Sequence, residues 1–139
     1  MGRIDDKVKE LEEYLSELSE IVPNNFEEYR GDFKIRAACE RYFERIVESA
    51  VDLAFLIIKE YKLKIPEEDK QSFDVLEQEQ IISKELSEKL RDAKGMRNIL
   101  AHEYGRIDDE IVFDSIKIEL IEDIEKFLEQ IKNFLENKK

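Results

Sequence analysis

Apolar residues recur at steps of three and four along most of this chain, and that spacing restricts it to amphipathic helices. Ile4, Val8, Leu11, Leu15, Leu18 and Val22 form one stripe, which Pro23, Asn24 and Asn25 bring to an end. From about Asp32 to Tyr61 the helical pattern returns, and between Ile46 and Ile58 nearly every position is apolar. A helix apolar on nearly all sides belongs at the centre of a bundle, covered by several neighbours. Residues 62–69, holding Pro66, read as a connector, and Gln71 to Gln80 as a short helix. Ser83 is placed to cap the next helix, whose inward face is Ile82, Leu86, Leu90, Ala93, Met96 and Leu100. Gly105 is placed to stop it. After the polar turn Arg106 to Glu110, Phe113, Ile116, Leu120, Ile124, Phe127, Ile131 and Phe134 repeat at threes and fours, with Ile121, Leu128 and Leu135 alongside. That double stripe is wide enough for two neighbours.

Four long helices joined by short links predict an all-α fold, an up-and-down four-helix bundle with an additional short helix. A scarcity of breakers, 4 Gly and 2 Pro, agrees with this, and 139 residues are enough for one domain spanning 1–139 with a core of its own. No apolar run approaches the length of about 18 residues that a membrane span needs, and no signal peptide opens the chain, so a cytoplasmic protein without membrane association is expected. Cys39 is the only cysteine. It forms no internal disulfide and reads as a small apolar helix residue.

The formal charge of −12 argues against a broad footprint on nucleic acid, because that affinity comes mainly from Lys and Arg neutralising phosphates. Any RNA contact must be confined to a local concentration of positive charge. Metal chemistry is poorly supplied as well. One His and one Cys far apart make no zinc site, and the residue three before His102 is Ile99, so the Glu-x-x-His pattern of di-iron bundles is missing. No cofactor is called for, since there is no Gly-rich phosphate loop, and no nucleophile elbow is present. Most carboxylates lie in solvated faces or turns.

What remains is the only histidine, His102, with Arg97 five residues before it and Tyr104 two after. A lone histidine at a helix end ordinarily serves as a capping cation. Arg97 alters that reading. It lies seven residues after Leu90, on the side of the inward stripe, where an arginine needs a partner or an interface. On one straight helix Arg97 and His102 point about 140° apart. Two copies of the helix, paired around a twofold axis, would gather two guanidinium and two imidazole groups into one cleft on an otherwise acidic surface.

The pattern Arg97-Asn98-x-x-x-His102-x-Tyr104 resembles the defining motif of the HepT toxins in the HEPN superfamily. The likeness extends to Ile82 to Leu86, to Gly95-Met96-Arg97-Asn98, to Asp108-Asp109 and to Ala50 to Ala54 in the central helix. The resemblance implies a HEPN-like bundle and a homodimeric, metal-independent endoribonuclease. It also implies a neutralising partner, a minimal nucleotidyltransferase of the MntA type that moves AMP from ATP to the motif tyrosine. By the same resemblance Arg97 and His102 are catalytic, Asn98 is a supporting polar group, Tyr104 is the AMP acceptor, and Asp52 is an acid that would orient Arg97 or His102. Asp52 also fits an exposed edge of the central helix shared with Glu48, four residues earlier.

The residue types suit such chemistry. Metal-free RNA cleavage needs a base for the ribose 2′-OH, an acid for the departing 5′-oxygen and a fixed cation for the phosphorane. Histidine, with an ordinary pKa of about 6.5, serves either proton role. Arginine supplies a permanent forked cation. A second reading, from a different class, is a HEPN module that dimerises and presents substrate to a partner nucleotidyltransferase without cutting RNA.

Overall fold

A computed structural model describes residues 2–102 and 108–138. Helix α1 spans Arg3–Ile21, α2 Phe26–Gly31, α3 Phe33–Glu60, α4 Gln71–Gln78 and α5 Lys84–His102. A last continuous run comprises α6 (Asp109–Asp114), a π-helical segment (Ser115–Leu120) and α7 (Ile121–Asn137). There are no strands among the described residues, so the fold is all-α. Contacts between side chains fix the directions. Lys7 meets Asp52 while Tyr42 donates to Glu17, so α1 and α3 run antiparallel. Lys89 meets Asp123 while the Ser83 amide donates to Gln130, so α5 and α7 do the same. The four long helices form the expected up-and-down bundle, with α2 and α4 as short additions.

Helix starts follow from side chains that accept the orphan amides of a first turn. Asp32 accepts from the amides of Lys34 and Ile35, Asp108 from those of Glu110 and Ile111, and Ser83 from that of Leu86, as its position predicts. The central helix is α3. Phe43, Ile46, Leu53, Ala54, Ile57 and Ile58 are all essentially shut off from solvent, and α1, α2, α4, α5 and the π-helical segment all pack on it. Cys39 is buried there too, and burial pushes its thiol up to about 11, which suits an inert core residue.

Two elements depart from the sequence reading. Helix α2 lies between the Pro-Asn-Asn stop and the helix expected from about Asp32, in a stretch for which the sequence pattern predicts no element. It starts on Asn25, whose side chain accepts the Glu28 amide, and it is held by ring packing of Phe26 and Tyr29 on Phe113, at centroid distances of 6.1 and 5.2 Å. The last helix contains a π-helical segment that the apolar stripe does not announce. Ile116 and Leu120 are buried in it, at a spacing an ordinary α-helix would serve equally.

Candidate functional site

The only histidine and Arg97 both lie on the last turns of α5. The inward stripe of that helix is buried at Leu86, Leu90 and Leu100, with Ala93 and Met96 packed against the core. This anchoring leaves Arg97 at the edge of the stripe, its side chain 21% exposed, facing the middle of α3. There the guanidinium Nη2 donates to Glu48 Oε1 in an ion pair. Nη1 makes a looser contact of 3.4 Å with Asn98 Oδ1, which Lys94 Nζ also approaches at 3.4 Å. Lys94 is itself 3.8 Å from Asp69. The Arg97 Nε proton has no acceptor among the described residues. The result is a partly exposed cation fixed on one side by a carboxylate, with its Nε buried.

His102 is exposed at the end of α5. Among the described residues it has no hydrogen bond to Arg97, as the angular separation of about 140° on one helix requires. Tyr104 and Gly105 lie outside the described residues. Asn98 is exposed and touches Arg97, as above. Asp52, expected to orient Arg97 or His102, faces Lys7 at 3.6 Å instead. The acid on Arg97 is Glu48, one turn earlier on the same face of α3. Sequence reasoning thus separated Glu48 from the site and missed Lys94. The available signal was a pair of carboxylates four apart within an apolar stretch, which marks an edge of α3 but not which of the two meets α5.

Apolar residues surround this end of the bundle without being covered. Ile99, between Arg97 and His102, is 45% exposed, Ile111 is 55% and Phe33 is 68%. Arg36 Nε lies 3.8 Å from Asp109 Oδ2, so the starts of α3 and α6, which carry Phe33 and Ile111, are neighbours. Among the described residues no three His, Cys, Asp or Glu side chains are grouped to hold a metal ion, and no helix is long and apolar enough to cross a membrane.

The sequence matches the family described as Ribonuclease HepT-like over residues 11–131. It is 31% identical over 105 residues to the mRNA nuclease HepT of Shewanella oneidensis, covering 76% of this chain and 78% of that protein. It is 26% identical over 132 residues to the tRNA nuclease HepT of Aphanizomenon flos-aquae, covering 95% and 89%. Among solved structures, the tri-AMPylated Shewanella oneidensis HEPN toxin in complex with MNT antitoxin superposes with a TM-score of 0.86 at 26% identity, over 94% of this chain and 96% of that one. The bundle is therefore the HEPN fold. Since the match takes in all but the two ends, the chain belongs to the ribonuclease HepT-like family.

Proposed function

We propose that the chain is a metal-independent endoribonuclease toxin that cleaves RNA at a composite Arg97/His102 site between two identical chains. A nucleotidyltransferase antitoxin of the MntA type restrains it by AMPylating Tyr104. The observation that carries this reading is the partly exposed guanidinium of Arg97, held by Glu48, on the same helix as the only histidine, in a chain of a ribonuclease family. The uncovered Ile99, Ile111 and Phe33 favour a second copy over this end, because exposed apolar residues grouped together mark interfaces. A twofold axis there makes the 140° separation useful, since each Arg97 then meets the histidine of the other chain.

In the reaction one imidazole takes the proton of a ribose 2′-OH. The freed oxygen attacks the adjacent phosphorus, and a P–O2′ bond forms as the P–O5′ bond breaks. A protonated imidazole gives its proton to the departing 5′-oxygen. The products are a 2′,3′-cyclic phosphate and a 5′-hydroxyl. Arg97 balances the charge gathered on the phosphorane oxygens, and Glu48 holds it in place. AMP on Tyr104, two residues beyond His102, would bring a phosphate into this cationic cleft and occupy the place of the scissile group.

The test is digestion of total RNA in the presence of a chelator. The wild-type chain is expected to cut, leaving cyclic phosphate ends, and His102→Ala is expected to abolish cutting. A dimer that binds RNA and leaves it intact would favour the non-catalytic, substrate-presenting reading. For the regulatory part, a Tyr104→Phe chain should escape silencing by the antitoxin with ATP. Full restraint of that variant would refute AMP transfer to Tyr104.

A further inference from the structure

The −12 chain carries a second concentration of positive charge, at the opposite end of the bundle from His102. A groove of about 920 Å³ is rimmed by Arg3 and Lys7 from the start of α1 and by Lys59 and Lys62 from the end of α3. Its floor is apolar, with Phe55 and Leu56. Ile65, at the lip, is 77% exposed, the most uncovered large apolar side chain among the described residues. Lys7 is occupied by Glu10 and Asp52. Arg3, Lys59 and Lys62 have no carboxylate within ion-pair distance among the described residues.

The groove is joined to Arg97 by a single stripe of α3. Glu48, Asp52, Phe55 and Lys59 fall within an arc of about 60° at 100° per residue. Along that stripe both carboxylates face a cation, Glu48 that of Arg97 and Asp52 that of Lys7, which Asp52 shares with Glu10. Glu48 and Lys59 are eleven residues apart, which puts them about 16 Å from one another along the helix. A strand leaving the Arg97 site along α3 thus passes, on this stripe, only carboxylates that already face a cation before it reaches Arg3, Lys59, Lys62 and an aromatic floor.

Cations tracking a backbone, combined with an aromatic platform for bases, are the chemistry of a single-stranded nucleic acid groove. We infer that this groove anchors the single-stranded RNA a few nucleotides away from the scissile bond, with phosphates on Arg3, Lys59 and Lys62 and a base against Phe55. The inference rests on the ribonuclease reading for its choice of ligand. It adds where the RNA lies and explains how an acidic protein holds it: Arg97 and this groove are two local footholds along one helix face.

The experiment measures binding without cleavage, by fluorescence anisotropy of a labelled oligouridine of about a dozen nucleotides on the His102→Ala chain, across a salt series. Adding Lys59→Glu and Lys62→Glu together is expected to weaken binding more than about tenfold and to lower the slope of log affinity against log salt by about 1.4, two single-strand phosphates' worth. Lys62→Gly guards against misfolding. Lys62 sits at a positive φ of 56° in open solvent, a conformation glycine prefers, so that variant should melt at a higher temperature and still bind RNA less tightly. Wild-type affinity and slope in both variants would overturn the inference, even with RNA cleavage intact. So would a charge reversal that changes sedimentation but not RNA binding, which would assign the groove to a second copy. Groove-dependent binding by a wild-type chain that never cuts the oligouridine would instead uphold the inference and remove the ribonuclease reading.

Discussion

Replacing Glu48 by Gln keeps the shape of the side chain that backs Arg97 and removes its charge. The Glu48 carboxylate is 42% exposed and the Arg97 side chain 21%. A pair this open to solvent is well screened, so the global cost should be small, about 1 kcal/mol or less. Catalysis is more demanding than stability. A stabilising donor removed outright costs about 100- to 1,000-fold in turnover. A guanidinium that keeps its charge but loses its anchor should cost less, about 10- to 100-fold. The loss should fall on kcat, since a loosened Arg97 still attracts RNA but no longer holds the geometry the phosphorane needs. The assay is single-turnover cleavage of a fluorogenic RNA beside thermal unfolding, for Glu48→Gln, Arg97→Ala and the double variant. If Glu48 acts only through Arg97, the double variant cleaves no more slowly than Arg97→Ala alone. Independent, multiplying losses, or a Glu48→Gln chain with wild-type kcat, would refute the positioning role.

Asp123 is buried beside the π-helical segment with Lys89 3.9 Å away, and burial raises its carboxyl above the ordinary value of 3.8. The folded state therefore holds that proton more tightly than the unfolded chain. The stability this gives is fully present below pH 3.8 and is lost as pH rises through the raised value. Asp123→Asn should thus melt higher than wild type at pH 7, with the difference vanishing toward pH 3; a difference independent of pH would contradict this. Gly95 lies exposed within α5, and a Cβ there would meet nothing within 4 Å. Gly95→Ala should add about 0.5–1 kcal/mol in urea unfolding, and a loss would show that another molecule sits against that face. Ile57 is wholly buried in α3, so Ile57→Ala should cost about 2–5 kcal/mol in the same measurement. A cost under about 1 kcal/mol would mean that the core collapses around the gap.

The long helices were legible because each needs one apolar face, and a period of three and four residues reveals that face without any partner being known. The nearly continuous apolar run from Ile46 to Ile58 likewise disclosed that α3 is central, since only burial on several sides makes such a run stable. Helix ends were less legible where glycine does not mark them. Helices α3 and α4 both close with a left-handed residue that is not glycine, Lys62 at φ 56° and Gln80 at φ 60°. The following amides, those of Leu63 and Ile81, bond back to Ile58 and Leu76 at 2.9 and 2.8 Å. This is the Schellman closure, and a sequence search for glycine passes over it. Helix α2 went unread because six residues are too few to show a period, and its stability comes from ring packing on Phe113 across 84 positions of chain.

At the candidate site, residues close in sequence were the readable ones. Arg97, Asn98 and His102 share one helix, so their spacing alone relates them. The choice of Glu48 over Asp52 as the partner of Arg97 depends on how α5 is turned and shifted against α3. One turn of sliding would exchange the two carboxylates, and neither apolar stripe specifies its register to better than that. The cationic groove was hidden for a similar reason, since Arg3 and Lys62 become neighbours only after α1 folds back along α3.

Whether two chains must meet to make the active centre is decided by following specific activity on RNA and sedimentation together as the wild-type protein is diluted, with Ile99→Glu as a chain impaired in pairing. Activity that falls in step with the dimer fraction, and is lost in an Ile99→Glu monomer that still melts like the parent, is the expected result. A monomer that cuts RNA with undiminished specific activity would contradict the composite site.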